Sequence, residues 1–279
     1  MKPYITTILT IILIYLIITY MSHRLSKKKL FTPTKITYND MKNIKHIFKD
    51  KIELGIIRGD ETLWFALYNK YRKPLWSDNI TFYCHGNSGW IGSVLNDPYI
   101  EEFSKHGSVF IFDYRGYGMS TGEPTEHGVY TDAINAWRFM VDVKGVDINN
   151  VIMFGHSLGS SIVSYMASFL YKNNEALPKY LILSSPFYNL RYIYTDFYPL
   201  LGRLNHNKFE TNKYLKVLNG AINVIYIHSK DDEIVNIYHS HKLRSEMNGQ
   251  LFIVNGSHSN LILTDDARKG LYDVSMTLG

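Results

Sequence analysis

The chain has 279 residues, of which 46% are hydrophobic and 20% are charged, and it contains a single cysteine. This length is enough for one domain with a large core, and one cysteine excludes a framework of internal disulfide bonds. The net charge of +5 does not indicate a nucleic-acid-binding protein, because much of the excess lies in residues 22–30 and no basic helix with base-reading side chains stands out.

An uncharged, apolar stretch occupies residues 3–21, and about twenty apolar residues are enough to span a bilayer. A signal peptide would have a shorter apolar core and a small-residue cleavage site, which Met21-Ser22-His23 does not provide. We therefore predict that residues 1–30 form a single-pass transmembrane anchor with a basic flank. The alternative, a buried helix of the domain, is disfavoured because the stretch is apolar all round.

The charges that flank this stretch predict its orientation. Arg24 and the run Lys27-Lys28-Lys29 follow it, whereas only Lys2 and the amino terminus precede it. The positive-inside rule then places residues 31–279 on the cytosolic side of the membrane. The lysines are also expected to hold the domain near anionic lipid headgroups.

The rest of the chain alternates strand-like and helical segments. Strands are predicted at 52–58, 63–71, 80–84, 108–113, 150–155, 180–184, 222–228 and 250–254, and helices at 93–105, 126–143, 160–171, 236–247 and from about 263. The first two strands flank Gly59-Asp60, which predicts a tight turn in an antiparallel pair. The later alternation predicts an α/β fold with a mostly parallel central sheet and helices on both faces.

The pentapeptide Gly155-His156-Ser157-Leu158-Gly159 lies between a predicted strand and a predicted helix. This context is typical of a nucleophile elbow, in which the serine occupies a sharp, strained turn. Gly155 and Gly159 allow neighbouring backbone to pass close to that turn. The N–H of Leu158 can then point at a developing oxyanion. Taken alone, the pattern is also compatible with a Gly/Ser loop that has no catalytic role.

Two later strands lead to groups that could complete a triad, in the order serine, acid, histidine. The strand at 222–228 is followed by Asp231-Asp232-Glu233, of which only one carboxylate can point correctly. The strand at 250–254 leads to His258 in a turn rich in Gly, Ser and Asn. His258 would take the serine proton and return it to the leaving group, and the acid would fix the imidazole tautomer.

A second oxyanion donor is expected in the turn His85-Gly86-Asn87, which follows the strand at 80–84. We assign this role to the main-chain N–H of Asn87. His85 and His156 are interpreted as turn residues and not as bases. Asp113 and Arg115, after the strand at 108–113, are interpreted as structural.

Five motifs in this order resemble the membrane-anchored α/β-hydrolase-domain proteins. That group comprises serine hydrolases, among them lysophospholipases, monoacylglycerol lipases and protein depalmitoylases. The similar segments are 82–89, 113–120, 155–159, 228–235 and 256–258. Their order is much more specific than any single motif. The resemblance implies an α/β-hydrolase fold over residues 50–275.

The resemblance also implies a role for each member of the predicted site: Ser157 as nucleophile, Asp232 as acid, His258 as base, and the N–H groups of Asn87 and Leu158 as oxyanion donors. It favours Asp232 over Asp231. Ser229 and Ser257 stand where the group usually has glycine, but neither departure removes a catalytic group.

An aromatic segment at about 186–220 interrupts the alternation. Long exposed aromatic runs need a partner, so we predict a small lid that covers an apolar acyl pocket with Phe187, Phe197 and Tyr198. A helix packed on the core is the alternative, and both descriptions can hold at once.

The sequence therefore predicts a membrane-anchored serine hydrolase that cleaves a carboxylic ester of a lipid-like substrate through an acyl-enzyme, without metal or cofactor. Two alternatives stay open: a protein fatty-acyl thioesterase, and a binding module on a hydrolase fold with a vestigial triad.

If residues 3–21 span a membrane, the full chain will stay with membranes after a high-salt or alkaline wash, because salt screens charge attraction but does not weaken the burial of apolar residues in the bilayer. A chain beginning near Phe31 should be soluble and should still hydrolyse short esters. Release of the full chain by salt alone would contradict the anchor. Protection of the C-terminal domain from protease in sealed vesicles would contradict the cytosolic orientation.

Overall fold

The computed structural model describes residues 30–197 and 207–278, together with Tyr4, Ile8, Thr10, Ile12 and Leu13. No helix among the described residues is both long enough and apolar enough to cross a bilayer. Apart from those five residues, the predicted anchor at 3–21 lies outside the described part of the chain, as does Tyr198 of the predicted lid.

The described strands form one sheet. They are β1 (Ile52–Arg58), β2 (Thr62–Tyr68), β3 (Ile80–Cys84), β4 (Ser108–Phe112), β5 (Val151–His156), β6 (Tyr180–Ser184), β7 (Asn223–Ser229), β8 (Gln250–Ser257) and β9 (Asn260–Ile262). Their order is β1-β2-β4-β3-β5-β6-β7-β8-β9. Strands β3 to β8 pair in parallel, whereas β1, β2 and β9 pair in antiparallel fashion. The predicted mostly parallel sheet is confirmed.

Helices cover both faces of this sheet. In the described ranges they are α1 (Tyr38–Phe48), α2 (Ile91–Val94), α3 (Pro98–Ser104), α4 (Glu126–Arg138), α5 (Leu158–Lys172), α6 (Leu190–Phe197), α7 (Thr211–Val217), α8 (Tyr238–Met247) and α9 (Asp265–Ser275). Helix α4 continues as a wider π turn through Val143.

Alternation along the central strands divides the core into two apolar clusters. In β3, Phe82 contributes to one cluster and Tyr83 to the other, and in β5 Met153 and Phe154 are divided in the same way. Successive side chains of a strand point to opposite faces, so a strand buried on both faces is apolar throughout. This explains why the central strands read as continuous hydrophobic runs.

Two differences from the predicted elements have local causes. The helix predicted at 93–105 is divided, because the Asp97 carboxylate caps the Tyr99 N–H and Pro98 begins a new helix, α3. Helix α1 was not predicted, although Thr37 and Asp40 form a reciprocal capping box at its start.

Strand β2 ends at Tyr68 and not at the predicted Tyr71, because Asn69 redirects the chain. Its buried side chain donates to the carbonyls of Ser104 and Gly107 at 3.0 and 2.6 Å. Its Oδ1 accepts the N–H groups of Tyr71 and Arg72 at 2.8 and 3.1 Å. The first two bonds join the β2–β3 connection to the end of α3, and the other two fix the course of the connection itself.

Replacing Asn69 with Leu should lower the free energy of unfolding by about 3 kcal/mol, because it leaves buried donors and acceptors unpaired. Asn69→Asp should be at least as harmful, since a carboxylate would face two carbonyl oxygens. The exposed Asn39→Leu serves as the control and should change stability by less than about 0.5 kcal/mol. Denaturant unfolding measures all three, and equal stability of the Asn69 and Asn39 variants would contradict this account.

Candidate active site

Ser157 occupies the turn between β5 and α5 with φ 53° and ψ −117°. A residue with a side chain adopts such a conformation at a cost of about 1–3 kcal/mol, and it persists only where neighbours fix it. Here the Ser157 N–H donates to the Ser184 carbonyl at 2.8 Å, and its own carbonyl accepts the Ser160 N–H at 2.9 Å. The turn is therefore held on both sides.

The glycines on either side of the turn permit a close approach of backbone segments. A Cβ on Gly159 would collide with the carbonyl oxygens of Cys84 and His85 at the end of β3. A Cβ on Gly155 would collide with the backbone of Gly159 and Ser160. The first turn of α5 can therefore lie directly against the ends of β3 and β5.

Three side chains from separate loops form a hydrogen-bonded row at the carboxyl edge of the sheet. The Ser157 Oγ lies 2.9 Å from Nε2 of His258, and Nδ1 of His258 lies 2.8 Å from Oδ2 of Asp232. A carboxylate can only accept, so Nδ1 carries the proton and Nε2 is free to accept from the serine hydroxyl. This arrangement can deprotonate the hydroxyl during nucleophilic attack.

The Asp232 side chain is fully buried and accepts from several donors. Its Oδ1 accepts the N–H groups of Ile234 and Val235 at 3.0 and 2.7 Å, and its Oδ2 also lies 3.3 Å from Nε2 of His228. Burial by itself raises the pKa of Asp232, but hydrogen bonds from His228 and His258 outweigh it and hold the pKa well below its usual range. The carboxylate therefore stays ionised at neutral pH.

The three adjacent carboxylates have three different surroundings. Asp232 faces the His258 ring. Glu233 accepts the His258 backbone N–H through Oε2 at 3.0 Å. Asp231 is exposed, and its backbone N–H donates to Ser229 Oγ at 3.0 Å. The turn therefore presents one carboxylate to the imidazole and a second to the backbone of the same histidine.

His228 and Glu233 contribute to the site although the sequence assigned neither a role. The fully buried His228 donates through Nε2 to the Val235 carbonyl at 2.7 Å, and its Nδ1 lies 2.6 Å from Ser240 Oγ. These bonds fix the turn that carries Asp232. The signal in the sequence was a histidine at the end of the hydrophobic run Val224-Ile225-Tyr226-Ile227.

The predicted oxyanion donors lie on the two backbone segments that meet beside Ser157. A Cβ on Gly86 would lie 3.6 Å from the Ser157 Cβ, which places the turn containing Asn87 next to the serine. Leu158 is the first residue of α5, where backbone N–H groups have no partner within the helix. Among the described residues, neither the Asn87 nor the Leu158 N–H donates to a protein acceptor.

His85 and His156 have structural contacts. The His85 ring is fully buried, lies 4.1 Å from the Tyr114 ring, and has its pKa lowered by burial to about 4. His156 Nδ1 lies 3.0 Å from Ser184 Oγ, and burial, with His258 nearby, lowers its pKa to about 3. Both rings are therefore neutral at pH 7.

The polar residues after β4 also serve the fold. Asp113 accepts the Ile91 N–H at 2.7 Å, and burial raises its pKa to about 7. Arg115 forms ion pairs with the buried Asp132 at 2.8 Å and with Asp60 at 3.1 Å. In the described parts of the chain, no group of three or more His, Cys, Asp or Glu side chains is arranged to hold a metal ion.

The predicted lid segment is described at both ends. Phe187 is 2% exposed and belongs to one of the two core clusters. Phe197 ends α6, but its side chain and all of residues 198–206 lie outside the description. The returning chain is fixed where Glu126 accepts the N–H groups of Lys208 and Phe209, each at 2.7 Å. Both described ends of the predicted lid segment, at Phe187 and at Phe209, therefore pack on the core.

A family model described as serine aminopeptidase, S33, matches residues 77–254. An uncharacterized protein, R595, of Acanthamoeba polyphaga mimivirus is 30% identical over 88% of this chain and 82% of its own length. The lysophosphatidylserine lipase ABHD12 of Gallus gallus is 30% identical over 67% of this chain. This chain spans 50% of that lipase, about half its length.

Solved structures share the fold at low identity. An α/β hydrolase from Vibrio vulnificus superimposes with a TM-score of 0.70 at 18% identity, covering 92% of each chain. An esterase from Pyrococcus furiosus gives a TM-score of 0.64 at 15% identity, covering 89% of this chain and 97% of its own. The α/β-hydrolase fold expected from the sequence is confirmed.

Asp232→Asn should lower kcat for ester hydrolysis by about 10⁴, because an amide cannot hold the required imidazole tautomer or stabilise the imidazolium. Asp231→Asn is the matched control and should retain wild-type kcat, since this side chain is exposed. Glu233→Gln should cost less than about tenfold, since its amide oxygen can still accept the His258 N–H. Steady-state kinetics of the three variants decide the assignment, and an equal loss in both aspartate variants would refute it.

Proposed function

The chain belongs to the serine aminopeptidase S33 family and is a serine hydrolase, and we propose that it cleaves a carboxylic ester of a lipid-like substrate through an acyl-enzyme intermediate. The observation that carries this proposal is the row from Ser157 through His258 to Asp232, with contacts of 2.9 and 2.8 Å. In this proposal those residues are nucleophile, base and acid.

The reaction begins when Ser157 Oγ attacks the substrate carbonyl carbon and Nε2 of His258 takes the hydroxyl proton. The carbonyl oxygen becomes an oxyanion that accepts hydrogen bonds from the N–H groups of Asn87 and Leu158. Collapse of the tetrahedral species breaks the bond to the leaving alcohol oxygen, which receives the proton from His258. A water molecule then repeats the sequence on the acyl-enzyme, and the products are a carboxylic acid and free Ser157.

The electrostatics of the site suit these steps. Asp232 is buried and ionised, so it stabilises the positive charge that His258 gains in each transition state. The bonds from His228, Ile234 and Val235 keep the carboxylate in place, and it need not reorient during the reaction. The negative charge of Asp232 is therefore in position before the substrate binds.

A lipid-like substrate is supported by the lipases among the relatives and by the aromatic segment at 186–220. Lysophosphatidylserine lipases are named among the similar proteins, although this chain spans half or less of their length. Phe187, Phe197 and Tyr198 are proposed to line the acyl pocket, with Phe187 at its base in the core.

We also propose that residues 1–30 anchor residues 31–279 to a membrane and that this catalytic domain lies on the cytosolic side. Within the domain, the proposed lid comprises residues from about 186 to 220. Tyr4, Ile8 and Ile12 are spaced as on one face of a helix, and each exposes about half of its surface. Exposed apolar side chains at helical spacing are suited to a lipid environment.

Activity on p-nitrophenyl esters tests the substrate class. If the pocket binds acyl chains, each added methylene should contribute about 0.8 kcal/mol until the pocket is full, so kcat/KM should rise from acetate to octanoate. Phe197→Asn and Tyr198→Asn should flatten that rise and leave acetate hydrolysis nearly unchanged. Tyr171→Asn, an exposed aromatic at the far end of α5, is the control and should leave the whole series unchanged.

The same assay tests the chemistry. Ser157→Ala should abolish ester turnover and labelling by a fluorophosphonate probe, while thermal unfolding shows an intact fold. Turnover that survives this substitution would refute the assigned nucleophile. A wild-type preference for acetate over octanoate would refute the lipid-like substrate and leave the nucleophile untouched.

A further inference from the structure

Residues 30–36 cross the catalytic edge of the sheet before α1 begins, and we call them the N-terminal strap. Leu30 and Phe31 are buried, each only 6% exposed. The strap pairs with the loop after β4: the Gly118 N–H donates to the Thr34 carbonyl at 2.8 Å, and the Ile36 N–H donates to the Gly118 carbonyl at 3.3 Å. The segment is therefore docked at both ends.

The strap also holds the turn that carries the proposed oxyanion donor. That turn is closed by a bond from the Gly89 N–H to the Gly86 carbonyl at 3.0 Å, so Asn87 and Ser88 are its central residues. The Thr32 N–H donates to Asn87 Oδ1 at 3.3 Å. The Thr34 hydroxyl donates to the Ser88 carbonyl at 3.2 Å. Both central residues of the turn thus have a bond to the strap.

A third contact joins the strap to the end of the proposed lid. The rings of Phe31 and Phe209 meet edge to face, with centroids 6.1 Å apart. Phe209 is fully buried and has φ 37°, an unfavourable conformation for a residue with a side chain. Its N–H is fixed by Glu126. The strap therefore lies between the oxyanion turn and the point where the chain returns from the lid.

We propose that the N-terminal strap is a positioning element of the active site: Phe31 and Thr34 keep it docked, and it fixes the turn so that the Asn87 N–H faces the oxyanion. The proposal rests on the proposed function, because the effect is exerted through a catalytic donor. The strap binds Asn87 through the side-chain Oδ1, which also accepts from the Tyr117 hydroxyl at 3.1 Å. Its main-chain N–H is thereby left available for the substrate.

A donor that acts mainly on the oxyanion affects the transition state more than the bound substrate, so its misplacement lowers kcat with little change in KM. A segment that only stabilised the fold would have no such signature.

The test uses the full-length protein with Thr34→Val, which removes one hydroxyl and keeps the shape, and with Phe31→Ala, which removes the ring that docks the strap. Kinetics on p-nitrophenyl butyrate and the affinity of an aryl boronate, which forms a tetrahedral adduct with serine, are measured for each. Leu271→Ala, in α9 and in the other core cluster, is the control for lost stability. Melting temperatures are recorded for all variants.

We expect each strap variant to lose about tenfold or more in kcat, with KM changed by less than about threefold and boronate affinity lowered in parallel with kcat/KM. Leu271→Ala should lower the melting temperature and keep its kcat. Unchanged kcat in Thr34→Val, a loss confined to KM, or an equal kcat loss in Leu271→Ala would each overturn the proposal. Absence of Ser157-dependent turnover in the wild type would instead refute the proposed function.

Discussion

The strained backbone of Ser157 is the constraint on which the rest of the site depends. The positive φ of Ser157 is maintained because the Ser184 carbonyl of β6 accepts its N–H. It also requires Gly159, since a Cβ at that position would collide with the end of β3 and keep the first turn of α5 away. The same close approach brings the end of β3, and with it the Asn87 turn, beside the serine. The geometry of the proposed nucleophile and that of the proposed oxyanion donors are therefore set together.

The parallel sheet supplies the second requirement, which is to bring distant groups to one edge. Strands β5, β7 and β8 all end at that edge, and their following loops carry Ser157, Asp232 and His258. The Asp232 carboxylate is separated from bulk water but remains ionised, because its donors come from its own turn and from His228. Burial strengthens its interaction with the imidazole.

The amino-acid sequence alone does not determine which of the three adjacent carboxylates faces His258. Composition and spacing treat Asp231, Asp232 and Glu233 alike, and only a resemblance to known motifs favoured Asp232. Their directions follow from the turn, in which Asp232 Oδ1 accepts two N–H groups and leaves Oδ2 toward His258. The contact of Glu233 likewise requires knowing that its turn meets the loop of His258. The contacts of His228 require the folded form of the turn that follows it, in which its ring meets the Val235 carbonyl and the Ser240 hydroxyl.

The sequence by itself determined an α/β fold with a mostly parallel sheet, because strand and helix periodicity and buried apolar runs are local properties, and the resemblance of its five motifs to known hydrolases implied the α/β-hydrolase fold. It also placed the candidate groups at strand ends. The tertiary structure decided the rest: the division of one predicted helix at Asp97, the end of β2 at Asn69, and the strap across the Asn87 turn. The end of β2 and the strap depend on hydrogen bonds between segments far apart in the chain. The division of the helix depends on a side chain that bonds to the backbone in place of a continued helix, which hydrophobic periodicity does not reveal.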